Sequence, residues 1–115
     1  MYYIYIIKCE GGELYTGITA DIARRMREHF SQSDKCAKYT RSHKAVSLEA
    51  LWTAENRSLA SRLETRIKRM RRSEKIDLIS SQEMPEKLCR DGECFVRIND
   101  FSLEEMINRN KKTAD

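Results

Sequence analysis

Four of the chain's five tyrosines fall within its first seventeen residues, MYYIYIIKCEGGELYTG, at Tyr2, Tyr3, Tyr5 and Tyr15. Phenols, guanidinium groups, imidazoles and carboxylates can between them donate, accept and move protons, and all four types recur here at useful spacings. Arg25 and His29 are four residues apart, which puts them on one face if their segment is helical. Glu64 stands at the margin of an apolar stripe made by Leu59, Leu63, Ile67 and Met70. Each group also has an ordinary structural explanation. Tyrosines pack in strands, Arg25 suits a solvated helix face, His29 a boundary position, and Glu64 a surface pair with Lys68. A metal-binding alternative rests on Cys89 and Cys94, a C-x4-C pair that His29 or His43 could join. That is not a standard zinc spacing, and Cys9 and Cys36 lie far off, so small buried or half-buried reduced thiols fit better.

The pattern of the chain shows which elements must position these groups. Tyr2 to Cys9 is rich in β-branched and aromatic residues, Glu10-Gly11-Gly12-Glu13 turns, and Leu14 to Ile18 resumes the strand pattern, which is a β-hairpin. Tyr3 and Tyr5 share a face with Ile7 and Cys9. A two-residue loop at Gly11-Gly12 sets Tyr15 opposite Lys8, on the other face. A three-residue loop, Gly11-Gly12-Glu13, sets Tyr15 opposite Cys9, on the face of Tyr5. One residue of register decides whether the two phenols can act together.

Thr19 to Phe30 predicts an amphipathic helix on Ile22, Met26 and Phe30, capped by Thr19 or Asp21. Residues 31–44 have no period and read as a polar loop. Val46 to Thr53 predicts a third strand with Val46, Leu48, Ala50 and Trp52 on one face. Ser58 can cap a second helix, and Ser73 to Ile79 predicts a further helix with Ile76 and Ile79 on its apolar side. The expected fold is therefore α+β, a small three-stranded antiparallel sheet flanked by helices in the order β-β-α-β-α-α. Beyond Met84-Pro85, KLCRDGECFVRI predicts a C-terminal hairpin turning at Asp91-Gly92, with Cys89 opposite Cys94. Phe101 onward predicts a last helix, with Ser102 and Glu105 as capping box and Phe101 and Met106 as hydrophobic staple.

At 115 residues the chain has room for one core, and its high charged fraction, 35%, suits a heavily charged shell around it. No apolar run approaches the roughly 20 residues of a membrane span, and no secretory signal opens the sequence. The expectation is a soluble, cytoplasmic protein with no membrane partner. The net charge of +4 is uneven. Residues 1–79 hold 16 Lys and Arg against 10 Asp and Glu, and residues 80–115 hold 6 against 8. Arg62, Arg66, Lys68, Arg69, Arg71, Arg72 and Lys75 face only Glu64 and Glu74 across fourteen residues. Such runs often make a solvated helix face, but one this dense suits phosphate contacts, which give affinity without reading sequence. Lys38, Tyr39 and Arg41 in the loop could add cations and a stacking ring for a single strand.

Tyr3-Ile4-Tyr5, then ten residues to Tyr15-Thr16-Gly17, an arginine on the next helix and a glutamate on the one after the third strand resemble the GIY-YIG nuclease family. The phrase LYTGITADIARRMREHF, followed by KYTR, is similar to its small stand-alone branch. The likeness covers about residues 2–79 and leaves the role of 80–115 unassigned. It implies a nuclease domain over 1–79, a C-terminal extension over 80–115, and metal-dependent hydrolysis of phosphodiester bonds. DNA or RNA would be the partner, with structure-selective cleavage and DNA repair as the implied setting. On the same likeness Tyr5 would be the base, its pKa of about 10 lowered by charge nearby. Tyr15 would position water and phosphate, Arg25 would meet charge on the phosphate oxygens, and His29 would orient a phenol or shuttle a proton. Glu64 would hold one divalent ion, Mg2+ or Mn2+, that keeps most of its water, and Gly17 would allow close approach. The sequence departs from the family at three places. Tyr3 stands for the glycine of GIY. Ile18 follows the second motif where excision-repair members have lysine, and Lys75 lies near the place of their asparagine. With the basic helix, these departures motivate an alternative, a non-catalytic nucleic-acid-binding module on the same fold.

Overall fold

The computed structural model describes residues 1–31, 43–90 and 92–107. Strands β1 (Tyr2–Cys9), β2 (Leu14–Thr19), β3 (Ala45–Ala54) and β4 (Val96–Arg97) form one antiparallel sheet in the order β2-β1-β3-β4. Helices α1 (Ile22–Phe30), α2 (Arg57–Lys68) and α3 (Arg72–Ser80) accompany it, with a 3₁₀ turn at Glu86–Leu88 and helical backbone over 103–107. The α+β class holds, but the sheet has four strands rather than three. The fourth comes from the expected C-terminal hairpin, which does not close on itself. Its first arm is the 3₁₀ turn, while Val96 and Arg97 pair with Thr53 and Trp52 on the open edge of β3. Arg97 fixes that attachment. Its guanidinium lies 5.1 Å from the Trp52 ring centroid and donates to the carbonyls of Leu78, Ile79 and Ser81 at the end of α3. These carbonyls lie at the helix end, where the intrahelical ladder runs out, although Leu78 also accepts from the Ser81 N–H at 3.2 Å. Cys89 and Cys94 are free thiols, and Asp91 lies outside the described residues.

The sheet is buried on both faces. On one side Ile4, Ile6, Ala50, Trp52 and Ala54 pack with Ala60, Leu63 and Ile67 of α2, and with Leu78 of α3. On the other, Tyr5, Ile7, Leu48 and Leu51 pack with Ile22 and Met26 of α1, and Phe101, Leu103 and Met106 join them. Strand β3 therefore does not keep the single face expected of it. Ala50 and Trp52 face α2, Leu48 faces α1, and Val46 is exposed. The pairing of β1 with β3 shifts between Ile6 and Ile7 and again between Lys8 and Cys9. Each extra residue on β3 reverses the alternation beyond it.

The helix starts explain the remaining differences. Asp21 caps α1 by accepting from the Arg24 N–H at 3.1 Å. The buried set on α1 is Ile22, Ala23, Met26 and His29, with Phe30 half-buried. Asn56, not Ser58, caps α2, accepting from the Leu59 N–H at 2.9 Å. Helix α3 docks through Leu78, and Ile76, expected on its apolar side, is exposed. Ser102 Oγ accepts from the Glu105 N–H at 3.2 Å, as the capping pattern predicts.

Candidate active site

The site begins with the hairpin turn. The Cys9 N–H donates to the Glu13 carbonyl and the Gly12 N–H to the Cys9 carbonyl, both at 2.9 Å, so the loop is Glu10-Gly11-Gly12. Gly12 has φ +88°, a conformation that favours glycine. The loop has three residues, one position earlier than expected, and Tyr15 pairs with Ile7 rather than Cys9 or Lys8. The parity is unchanged. Tyr15 shares the face of Tyr5, and their ring centroids lie 6.4 Å apart.

Tyr5 pairs across the strands with Gly17, and its ring lies over that glycine. A Cβ at position 17 would stand 2.6 Å from Tyr5 Cζ and 2.9 Å from Cε2. Gly17 thus makes room for the phenol. Helix α1 then delivers His29 and Arg25 to the same hydroxyl. His29 Nε2 lies 2.8 Å from Tyr5 Oη, and Arg25 Nε donates to Oη at 3.3 Å. Arg25 can only donate to Oη, and the Tyr5–His29 bond runs from the phenol to Nε2 in the His29 tautomer that carries its proton on Nδ1. His29 also packs its ring 5.4 Å from each tyrosine ring.

Burial sets the protonation states. Tyr5 is 1% exposed, and its pKa is pushed up to about 12, chiefly by loss of solvent; the Arg25 hydrogen bond opposes the rise, and Glu64 adds to it. His29 is fully buried and its pKa falls to about 4, again chiefly by desolvation, with the Arg25 charge adding to the fall. Near neutral pH both groups rest uncharged. Arg25 is pushed further up by Tyr5 and Glu28 against the desolvation that opposes it, and stays a cation. Glu28 was not singled out from the sequence, although it stands three residues from Arg25 and four from Arg24, spacings that place it beside both. It takes Arg25 Nη1 at 3.0 Å and Arg24 Nε at 3.5 Å, so the guanidinium is stretched between Tyr5 and a carboxylate.

Glu64 approaches from α2, which contacts β2, β1 and β3. Its side chain is 19% exposed and pairs with Lys68 Nζ at 3.3 Å. Among the described residues no three His, Cys, Asp or Glu converge. A divalent ion here would have Glu64 as its protein ligand, with water and substrate phosphate completing the shell. That donor set, a single partly exposed hard carboxylate, fits Mg2+ or Mn2+ and does not suit a closed structural zinc site.

The basic residues separate into different environments. Arg66 donates to Glu93 at 2.7 and 2.9 Å and to the Leu88 carbonyl at 2.7 Å, and Arg62 reaches Glu93 at 3.4 Å. Arg66, expected at phosphate, is thus engaged within the chain. Arg72 donates to the Gly12 carbonyl at 2.6 Å and braces the hairpin turn. Arg69 is exposed, Lys75 is half-buried and Lys68 lies beside Glu64. Lys38, Tyr39 and Arg41 lie outside the described residues.

Two phenols of one hairpin, an arginine and a histidine of α1 and a glutamate of α2 make up the candidate site. The family model described as the GIY-YIG catalytic domain matches residues 1–77, and the chain belongs to the GIY-YIG family. Several UPF0213 proteins are among its curated relatives. It is 40% identical over 92 residues to UPF0213 protein FN1575 of Fusobacterium nucleatum, covering 80% of this chain and 87% of that one. It is 39% identical over 99 residues to UPF0213 protein YhbQ of Salmonella arizonae, covering 86% and 97%. Among solved structures, the solution NMR structure of UPF0213 protein BH0048 from Bacillus halodurans is 37% identical, with a TM-score of 0.48, covering 76% and 93%. No helix among the described residues is long and apolar enough to cross a membrane.

Proposed function

We propose that the protein is a divalent-metal-dependent endonuclease that hydrolyses phosphodiester bonds in DNA, with structured DNA of the kind met in repair as its substrate. The observation that carries this reading is the Tyr5 hydroxyl, held between Arg25 and His29 with Tyr15 packed against the pair. A phenol with a pKa of about 12 is a poor resting base. The arrangement avoids the need for a resting phenolate. As Oη takes a proton from the attacking water, it passes its own proton along the existing bond to His29 Nε2. Water oxygen bonds to phosphorus and the bond to the leaving oxygen breaks. The imidazolium so formed stands near Arg25 and is disfavoured, so Nε2 returns its proton to Oη while Oη releases the proton taken from water to the leaving oxygen, which resets the relay. Arg25, held by Glu28 and Tyr5, keeps Nη2 available for the phosphate oxygens where negative charge grows. Tyr15, half-buried at the same face, orients water against phosphate. An ion at Glu64 would supply Lewis-acid stabilisation of the phosphate oxygens and a more acidic bound water.

The test is nicking of supercoiled plasmid with Mg2+ or Mn2+, with an EDTA control and the Glu64→Ala variant alongside. Nicking that needs the ion and is lost in Glu64→Ala supports the reading. Robust nicking by Glu64→Ala removes Glu64 as the ligand. The burial of Tyr5 favours a second reading, a nucleic-acid-binding module that does not cleave. Salt-sensitive DNA binding without nicking on plasmid or branched substrates selects it.

A further inference from the structure

Glu93 stands outside the helices, yet its side chain is only 5% exposed and is gripped by donors from three residues, two of them one turn apart on α2. Arg66 meets it as a fork, Nη1 to Oε1 at 2.7 Å and Nη2 to Oε2 at 2.9 Å. Arg62 Nη1 reaches Oε2 at 3.4 Å, and the Arg90 backbone N–H donates to Oε1 at 2.9 Å. Two guanidinium groups and a backbone N–H around one anion make a donor set that suits a phosphate diester as well as a carboxylate. The surroundings repeat this chemistry. A groove of about 480 Å3 is lined by Ser61, Arg62, Thr65, Arg66, Arg69 and Arg90, with Glu93 as its single acid. Among the described residues the side chains of Arg69 and Arg90 make no ion pair, so the groove keeps cationic charge in excess of what Glu93 neutralises.

The groove is also separate from the tyrosine site. At 100° per residue, Arg62, Arg66 and Arg69 lie on one flank of α2, and Glu64 projects from well round the helix on the other. Nucleic acid at Glu64 therefore does not occupy this groove by occupying the catalytic site.

We propose that Arg62, Arg66 and the Arg90 N–H form a second site, for backbone phosphate of the nucleic acid, and that Glu93 occupies it as an internal competitor. The inference rests on the nucleic-acid reading of the preceding section and adds a restraint to it. The C-terminal segment lays a carboxylate where a phosphate would go, and binding of DNA along α2 requires its displacement.

The experiment compares the full chain with Glu93→Gln in binding a short fluorescent DNA duplex, by anisotropy over a series of salt concentrations and without divalent ion. Glutamine keeps the size and an acceptor for Arg66, so the segment stays docked, and a thermal melt checks that it does. The expected result is about tenfold tighter binding by Glu93→Gln at moderate salt, with a salt dependence steeper by about one counterion. Adding Arg66→Gln to that variant cancels the gain. Equal affinity and equal salt slope overturn the proposal while leaving the nucleic-acid reading intact. Absence of duplex binding by either protein at low salt overturns both, and so separates the two failures. A second measurement uses the unaltered chain: the Arg66 Nε–Hε resonance moves as duplex is added, whereas a resonance unmoved at saturating duplex refutes the displacement.

Discussion

Replacing Tyr5 with phenylalanine removes one atom from the middle of the proposed relay, and its cost can be worked from the contacts. The ring keeps its place over Gly17 and its packing with Ile7, Met26 and Leu51, so little apolar burial changes. The loss is the 2.8 Å bond to His29, which deprives a fully buried ring nitrogen of its Tyr5 partner. A buried polar atom stranded in this way costs about 1–3 kcal/mol. Arg25 loses its 3.3 Å contact, but its side chain is 33% exposed and still holds Glu28, so solvent replaces most of that bond. The balance is a destabilisation of about 2 kcal/mol, or a fall in Tm of roughly 10 °C for a domain of this size. Urea and thermal unfolding of Tyr5→Phe near neutral pH measure it. The double variant with His29→Leu recovers part of the loss, because removing both polar partners leaves neither stranded, and the cycle reports a coupling above about 1 kcal/mol. Stability within about 0.3 kcal/mol of the wild type for Tyr5→Phe, with zero coupling, refutes the claim that this hydroxyl is bound to His29 in the fold.

Gly17→Ala drives a methyl into the Tyr5 ring, so it displaces the phenol from His29. The expected result is a loss of about 1–3 kcal/mol together with loss of nicking, and a variant that keeps both stability and activity contradicts the close approach. Stability also falls with pH in two steps. The folded pKa of His29, about 4, lies below its ordinary 6.5, so the unfolded chain binds the extra proton between them. That contribution is complete above about pH 6.5 and is lost as pH falls toward 4, about 3 kcal/mol in all by linkage. His29→Gln abolishes this step in urea titrations across the range. Glu93, lowered from 4.5 to about 2 chiefly by Arg66, contributes stability that is complete above its unfolded pKa and is lost as pH falls from 4.5 toward 2. Glu93→Gln removes only that lower step.

What could be read from the sequence was what depends on parity and period. Alternation in β1 placed Tyr3, Tyr5 and Ile7 together, and any odd-numbered hairpin loop returns Tyr15 to their face, so the phenols meet although the loop sits one residue earlier than expected. The spacing of four between Arg25 and His29 likewise survives any shift of the helix start. Features set by long-range contacts were not legible. The two register shifts between β1 and β3 skip Glu49 and Val46 on β3, and no pattern within β3 announces them. The C-terminal segment contains a good turn at Gly92, but whether Val96 pairs with its own hairpin or with β3 depends on the open edge beside Trp52 and on Arg97 reaching the end of α3. The same contacts place Glu93 against Arg62 and Arg66, which in sequence look like available cations some thirty residues away.

In the proposed mechanism a neutral phenol, poised between an arginine and a neutral histidine, removes a proton from the attacking water. The most direct measurement is the single-turnover rate of plasmid nicking in Mg2+ or Mn2+ by the wild type and Tyr5→Phe, under conditions where both proteins are folded. The expected result is metal-dependent nicking by the wild type that falls roughly 10²- to 10⁴-fold in the variant, the range of a lost general base. Nicking by Tyr5→Phe at the wild-type rate would contradict it.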